Sequence, residues 1–299
     1  RKLSRSLPRS RCRSRPCLPR RRTAAALRKV KFPPAPRPVL SILIPVYNEL
    51  DYTAACLLSV MRHPPDVPFE VVLADDCSTD PAAALLGRIR HLVLVRQATN
   101  QGFIRNCNAA FAHCRGEYVL LLNNDAQVMP GTLSRMVAAL AGDAALAAVG
   151  PKIVYPSGRL QEAGCFIRPN GESGMIGLFG DPDEEGFCYD RDIPYSSGAA
   201  LMVRRARVGE VLFDERYRPA YCEDVDLCLR LRRDGGRVRY VHEALVVHHL
   251  SVSTNRQSLA RKMRTIVANQ QQLMAQWGEA IRELDRILVL AFYLPQFHP

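Results

Sequence analysis

Three short polar clusters hold the residue types that chemistry needs: Asp75-Asp76, Asn123-Asn124-Asp125 and Glu223-Asp224. The second follows Tyr118 to Leu122, an unbroken apolar run that suits a strand covered on both faces. A carboxylate just past such a strand sits at the carboxyl edge, where open α/β sheets bind ligands. There Asp125 can act as a hard oxygen ligand for Mg²⁺ or Mn²⁺ bridging a diphosphate. A strand closing in an Asx turn before Pro130-Gly131 would give the same local pattern. Asp75-Asp76 ends another apolar run, residues 69–74, and Tyr47-Asn48-Glu49 ends a first one, residues 39–46. Carboxylates gathered on one edge repel one another, so a cation or a donor-rich ligand is expected to offset them.

The elements that must position these clusters follow from the patterning. Strands are predicted over 39–46, 69–74, 91–96, 118–122 and 146–155, with helices over 52–60, 103–114 and 132–140 between them. Ser78 or Thr79 is expected to cap a helix after the second strand, with Asp80 in its first turn. Strands of 4–8 residues alternating with helices indicate βαβ units with right-handed crossovers. The fold class is therefore α/β, a Rossmann-like, mostly parallel sheet flanked by helices. Polar clusters after strands one, two and four would then share one sheet edge. Residues 156–194, rich in Gly, Pro and acids, read as a loop-rich insertion. Structure resumes with a strand led by Ser196-Ser197-Gly198 and a helix over 224–233. Short strands follow at 238–241 and 244–247, the second running into His248-His249. Leu259, Met263, Ile266, Val267, Leu273, Met274 and Trp277 form one helical face, expected to be core.

A chain of 299 residues can bury one large α/β domain. The net charge of +12 is concentrated at the start: residues 1–38 hold 14 of the 41 Lys and Arg and no acid. The remainder carries 27 basic against 29 acidic residues and is close to neutral. Rich in Arg, Pro and Ser, that arm is expected to be disordered, with folding beginning after a linker at 32–38. It has no apolar h-region, and no run elsewhere approaches a membrane span. The ten cysteines lack CxxC pairs and suggest neither a zinc site nor a disulfide framework, which fits a reducing cytoplasm.

No GxxxxGK[ST] is present, no GxGxxG follows the first strand, and GxSxG and HExxH are absent. A metal-bridged nucleotide diphosphate fits the acidic edge best. Seven blocks then appear in order: SILIPVYNE, LADDCSTD, NQGFIRNCNAAF, GEYVLLLNNDAQV, SSGAALMVRR, FDERY and YCEDVDLCLRLRRDGGRVRYVHEALVVHH. Together, over about residues 39–275, they resemble the inverting family-2 glycosyltransferases with the GT-A fold, and within them the rhamnosyltransferase-like bacterial subset.

That resemblance implies roles position by position. Pro45, Tyr47 and Glu49 match the family's nucleotide-binding edge, and Asp76 the carboxylate that reads the pyrimidine base. Asn123-Asn124-Asp125 occupies the DxD position with Asn123 in place of the first acid; Asn124 falls to the nucleotide and Asp125 to the metal. His248 matches a histidine that helps hold Mn²⁺ or Mg²⁺. Gly102 opens the turn into a helix whose Arg105 either meets phosphate or is a surface charge. Cys77 departs from the usual Gly after the Asp pair. Glu223-Asp224 matches the ED pair, with Asp224 as general base and Glu223 positioning the acceptor. An inverting transfer needs such a carboxylate to take the acceptor hydroxyl's proton, and the helix N-terminus there favours the ionised form.

The implied enzyme moves a sugar from a UDP- or dTDP-sugar to a glycan or lipid-linked glycan acceptor in cell-surface polysaccharide synthesis. It would be cytoplasmic, with peripheral contact at the inner membrane face. Its organisation would be an arm (1–38), a transferase domain (39–280) and a tail (285–299) resembling the start of a fused glycan-processing module. Within the domain, 39–130 would bind nucleotide, 131–255 would form the acceptor side and 256–280 a closing helix. Two other readings remain open. A nucleotidyltransferase would need a Gly- and Arg/Lys-rich loop that PVYNELDY lacks. A nucleic-acid-binding protein would act through the basic arm, with salt-sensitive binding.

Overall fold

The computed structural model describes residues 20–249 and 259–293. It begins with helix α1 (Arg20–Leu27), strand β1 (Leu40–Val46), helix α2 (Leu50–Arg62) and strand β2 (Phe69–Asp75). A 3-10 segment, Pro81–Arg88, leads to β3 (Leu92–Arg96), α3 (Phe103–Phe111), β4 (Tyr118–Leu122) and β5 (Ala126–Val128). Next come α4 (Thr132–Gly142), β6 (Leu146–Val154), β7 (Leu160–Glu162), β8 (Cys165–Ile167), β9 (Ser173–Met175) and β10 (Arg191–Asp192). The chain closes with β11 (Ala200–Arg204), a one-turn α5 (Arg205–Val208), α6 (Glu223–Arg233), β12 (Arg237–His248) and α7 (Leu259–Tyr293).

The main sheet runs β10-β12-β6-β11-β4-β1-β2-β3, with β5 added to β12 and β7 to β6. β3, β2, β1 and β4 are mutually parallel, as the alternation of short apolar runs and helices requires. The sheet is covered on both sides. Alternate residues of β1 and β2 face opposite ways: Leu43 and Val72 pack with α3, α6 and α7, whereas Ile42, Ile44, Val71 and Leu73 pack with α1, α2 and α4. This is the expected α/β fold. It puts the ends of β1, β2 and β4 side by side.

Several expectations are corrected. The ordered domain starts well before residue 39. Leu27, Val30 and Phe32 are buried, Phe32 meets Phe69 edge-on at 6.1 Å, and Arg115 Nη2 donates to the Ala35 carbonyl at 3.1 Å. The apolar positions in RTAAALRKVKF are few but suffice for a helix of about two turns and a buried anchor. The first 19 residues of the expected arm lie outside the described residues. After β2, the cap is Asp80, accepting from Ala82 N, rather than Ser78 or Thr79, and the helix is 3-10. Residues 238–247 form one strand interrupted by a register shift between Val241 and Leu245, not two. The insertion at 156–194 holds β7 to β10, with β8 and β9 paired as a hairpin. The closing run LVLAFYLPQFHP reads as a strand by its apolar character, but its residues 288–293 continue α7 and the rest lie outside the described residues; a short apolar run alone does not separate the two states. On α7, Leu273, Trp277, Ile281 and Leu284 are buried, but Met263 and Val267 are exposed, so only the later half of the expected stripe is core.

Candidate active site

The loops after β1 and β2 are stapled together by Asn48. Its Oδ1 accepts from Thr79 N at 2.9 Å and Asp80 N at 3.1 Å, while its own N–H donates to Ser78 Oγ at 2.8 Å. Asn48 and Glu49 both adopt left-handed backbone conformations, φ 55° and 50°, which re-aim the chain into α2. Pro45 lies within β1 opposite Ala74, and Tyr47 projects into solvent at this rim. Cys77 is also left-handed, φ 62°, which explains why a glycine suits the position.

Asp75 and Asp76 divide their work. Asp75 is fully buried and accepts from Ser78 N at 2.9 Å. Asp76 clamps the next loop, its two oxygens accepting from Gln101 N at 2.6 Å and Gly102 N at 2.9 Å. Gly102, φ 82°, gives the turn that exposes these N–H groups. Two of the expected ligand-binding side chains have partners within the protein. Arg105 pairs with Glu215 at 2.8 Å, because α3 docks on the loop at 213–215. Asn124 is buried, its amide donating to Thr53 Oγ1 at 3.0 Å, so it fastens the turn after β4 to α2.

Asp125 and His248 come together. Strand β5 pairs with the end of β12, placing Ala126 opposite His248, and His248 Nε2 lies 3.1 Å from Asp125 Oδ1. Both side chains are nearly buried. Cis ligands around an octahedral ion with bonds of about 2.1 Å are about 3.0 Å apart, so this oxygen–nitrogen pair already has the spacing a divalent cation needs. Among the described residues, no third His, Cys, Asp or Glu joins them to make a metal cluster. A cation held here would draw its other donors from a ligand.

Glu223 and Asp224 open α6 next to the same edge. The turn and the helix are linked through the start of β11: Asn123 N–H donates to the Ala199 carbonyl at 2.9 Å, and Gly198 N–H donates to Asp224 Oδ2 at 3.0 Å. Val225 N–H holds the other oxygen of Asp224 at 2.9 Å. Burial raises the pKa of Asp224, against the lowering effect of these backbone donors. Glu223 is more enclosed, and its Oε2 has no hydrogen-bond partner among the described residues. Burial, then the charge of Asp224, pushes its carboxyl up to about 8. The preceding residues Tyr221 and Cys222 are both left-handed, φ 79° and 71°. Strain of this kind persists only where surroundings enforce it. Here Asn269 of α7 does so, its Nδ2 donating to the carbonyls of Tyr217, Ala220 and Tyr221.

Four contributors escaped the sequence reading: Asn48, Asn269, Gln161 and Glu162. Buried Glu162 accepts from Ser196 Oγ, Ser197 N and Ser197 Oγ, fixing the turn that carries Gly198. Gln161 Nε2 lies 3.2 Å from His248 Nδ1. Asn48 sat in a cluster whose neighbours drew attention. The other three had no local signal.

With this geometry in place, similarity to known proteins can be read. The profile described as glycosyl transferase family 2 matches residues 41–207, more than half of the chain. The chain belongs to glycosyltransferase family 2. A protein of Sinorhizobium fredii described only as uncharacterised is 30% identical over 75% of the chain, which spans 26% of that relative. N-acetylglucosaminyl-diphospho-decaprenol L-rhamnosyltransferase of Mycobacterium tuberculosis is 34% identical over 63% of the chain and 69% of the relative. The fold is GT-A: Staphylococcus aureus TarS with UDP-GlcNAc superposes with a TM-score of 0.54 at 19% identity, over 85% of the chain and 76% of that structure. GalNAc-T7 with UDP, GalNAc and Mn²⁺ gives 0.58 at 16%, over 71% and 44%. Family membership removes the ground for the nucleotidyltransferase reading. Among the described residues no helix is long and apolar enough to cross a membrane.

Proposed function

We propose that this transferase moves a sugar from a UDP- or dTDP-sugar to a glycan or lipid-linked glycan acceptor, with inversion, in cell-surface polysaccharide assembly. The observation that carries the reading is the hydrogen-bonded path from Asn123 through Ala199 and Gly198 to Asp224. It sets a candidate cation pair, after β4 and at the end of β12, near a candidate base at the start of α6. The mycobacterial relative, whose name specifies a lipid-linked acceptor, and the nucleotide-bound GT-A neighbours support the substrate class.

Asp125 and His248 would hold a divalent ion, and the nitrogen donor suits Mn²⁺ at least as well as Mg²⁺. Such an ion, when bound, would offset the charge that develops on the departing diphosphate. The rim formed by Pro45, Tyr47, Glu49 and Asp76 would receive the nucleoside, with Asp76 also fixing the Gly102 loop. Asp224 is the base. Its two backbone donors hold it at the helix N-terminus and favour the ionised form needed to accept the acceptor hydroxyl's proton. Attack by that oxygen on the face of the anomeric carbon opposite the diphosphate inverts the centre. Glu223, protonated at neutral pH, is suited to donate a hydrogen bond to the acceptor.

The test is a thermal-shift panel of UDP, dTDP, GDP and CMP, each with Mn²⁺ and with chelator, on wild type, Asp125→Ala and Asp224→Asn. Metal-dependent stabilisation by UDP or dTDP is expected, lost in Asp125→Ala and kept in Asp224→Asn. Transfer by Asp224→Asn should fall roughly 10²–10⁴-fold. No shift with any nucleotide in folded wild type would refute the donor reading.

A further inference from the structure

Gln161 occupies an unusual place in the sheet. β7 runs antiparallel to β6, with Ile153 opposite Glu162 but Val154 opposite Leu160, so Gln161 is the extra residue of a bulge. A bulge re-aims the side chain it carries. Here it sends a carboxamide that is 1% exposed toward His248, whose own strand, β12, also pairs with β6. The amide reaches Nδ1 of His248 at 3.2 Å, and its Oε1 is buried with no hydrogen-bond partner among the described residues.

The chemistry of the ring gives that orphan oxygen a use. With the amide nitrogen against Nδ1, the ring proton sits on Nε2 and is donated to Asp125, an arrangement that leaves no lone pair for a cation. With the amide turned over, Oε1 accepts a proton carried on Nδ1. The Nε2 lone pair then faces Asp125 Oδ1 across 3.1 Å. Two acceptors at that distance repel unless a cation bridges them. The carboxamide can serve either state because it offers a donor and an acceptor on the same stem.

We propose that Gln161 is a positioning residue that selects the metal-ligating tautomer of His248, accepting its Nδ1–H through Oε1 when a divalent ion is bound. The proposal rests on the reading of Asp125 and His248 as the cation pair. Gln161 touches neither the ion nor the substrate. Groups that orient a ligating imidazole in this way typically change metal affinity about 10–100-fold when removed.

The experiment is a titration of Mn²⁺ by electron paramagnetic resonance, in the presence of saturating UDP, on wild type, Gln161→Met and Gln161→Glu. Methionine keeps the volume and removes the acceptor, so Mn²⁺ affinity should drop about 10–100-fold, with UDP binding in chelator unchanged. Glutamate is an obligate acceptor and should bind Mn²⁺ at least as tightly as wild type. A merely structural Gln161 would make both variants weaken together, in proportion to lost thermal stability, and so would overturn the proposal. Equal affinity in all three would overturn it as well. Absence of Mn²⁺ binding by wild type would remove the cation site itself and this role with it.

Discussion

Glu223 and Asp224 are neighbours in sequence but not in environment. Asp224 has a backbone N–H on each oxygen, whereas one oxygen of Glu223 is buried with none. The consequence is a stability that depends on pH in an unusual direction. An unfolded Glu releases its proton near 4.5, whereas the folded Glu223 holds it until about 8. Between those values the native state binds a proton that the unfolded state has lost, so stability falls as pH rises through the window and levels off above it. The raised pKa of Asp224 acts with the same sign. Urea denaturation of wild type at pH 6, 7 and 8 should show a decline of roughly a few kcal/mol. Glu223→Gln, which cannot ionise, should flatten it. A wild-type slope unchanged by that substitution would mean that another group carries the linkage.

At the scale of elements, the site is held from behind by α7. The amide of Asn269 spreads two hydrogens over three carbonyls, 2.7 to 2.9 Å away, of the loop that must bend through left-handed Tyr221 and Cys222 before Glu223. Trp277 Nε1 adds a bond to Asp226 at 2.9 Å one turn into α6. Asn269→Ala leaves those carbonyls unpaired and should cost about 1–3 kcal/mol, read from the urea midpoint. Transfer should slow with the KM for donor unchanged, because the loosened loop lies on the side of the acid pair. A rise in donor KM alone would contradict this placement. The same elements explain what sequence could and could not tell. The run of apolar residues at β1, β2 and β4 followed by polar clusters defines a parallel sheet edge; Asp125 and His248 stood out because they abut strand runs, and Asp224 because it pairs with Glu223 at a helix start. Gln161 and Glu162 were not, because a three-residue strand has no period to detect. Their burial depends on a bulge against β6, a long-range fact. The partners of Arg105 and Asn124, Glu215 and Thr53, were equally hidden, because both contacts span distant parts of the chain.

For the whole molecule, the open question is where the folded unit begins. Composition draws the boundary at the prolines of 32–38, yet packing draws it earlier. Leu27, Val30 and Phe32 enter the core shared by α2 and β1, and Phe32 N–H donates to the Arg90 carbonyl at 3.2 Å. Glu70, itself buried, grips Arg115 at 2.6 Å and through it the Ala35 carbonyl, so even the proline segment is fastened to β2. Charge and packing can therefore be separated by two truncations. A chain starting at Arg20 removes seven basic residues and keeps α1, and its melting temperature and transfer rate should match the full chain. A chain starting at Pro33 exposes the apolar seat of α1. Three large side chains at ~1.5–3 kcal/mol each, taken as an upper bound, predict a loss of several kcal/mol. At roughly 2–4 °C per kcal/mol, that lowers the melting temperature by about 10 °C or more. Salt-sensitive nucleic-acid binding lost in both truncations, with transfer intact, would assign the basic segment a separate task. Equal melting of both shortened chains would instead show that α1 rests on the domain without stabilising it.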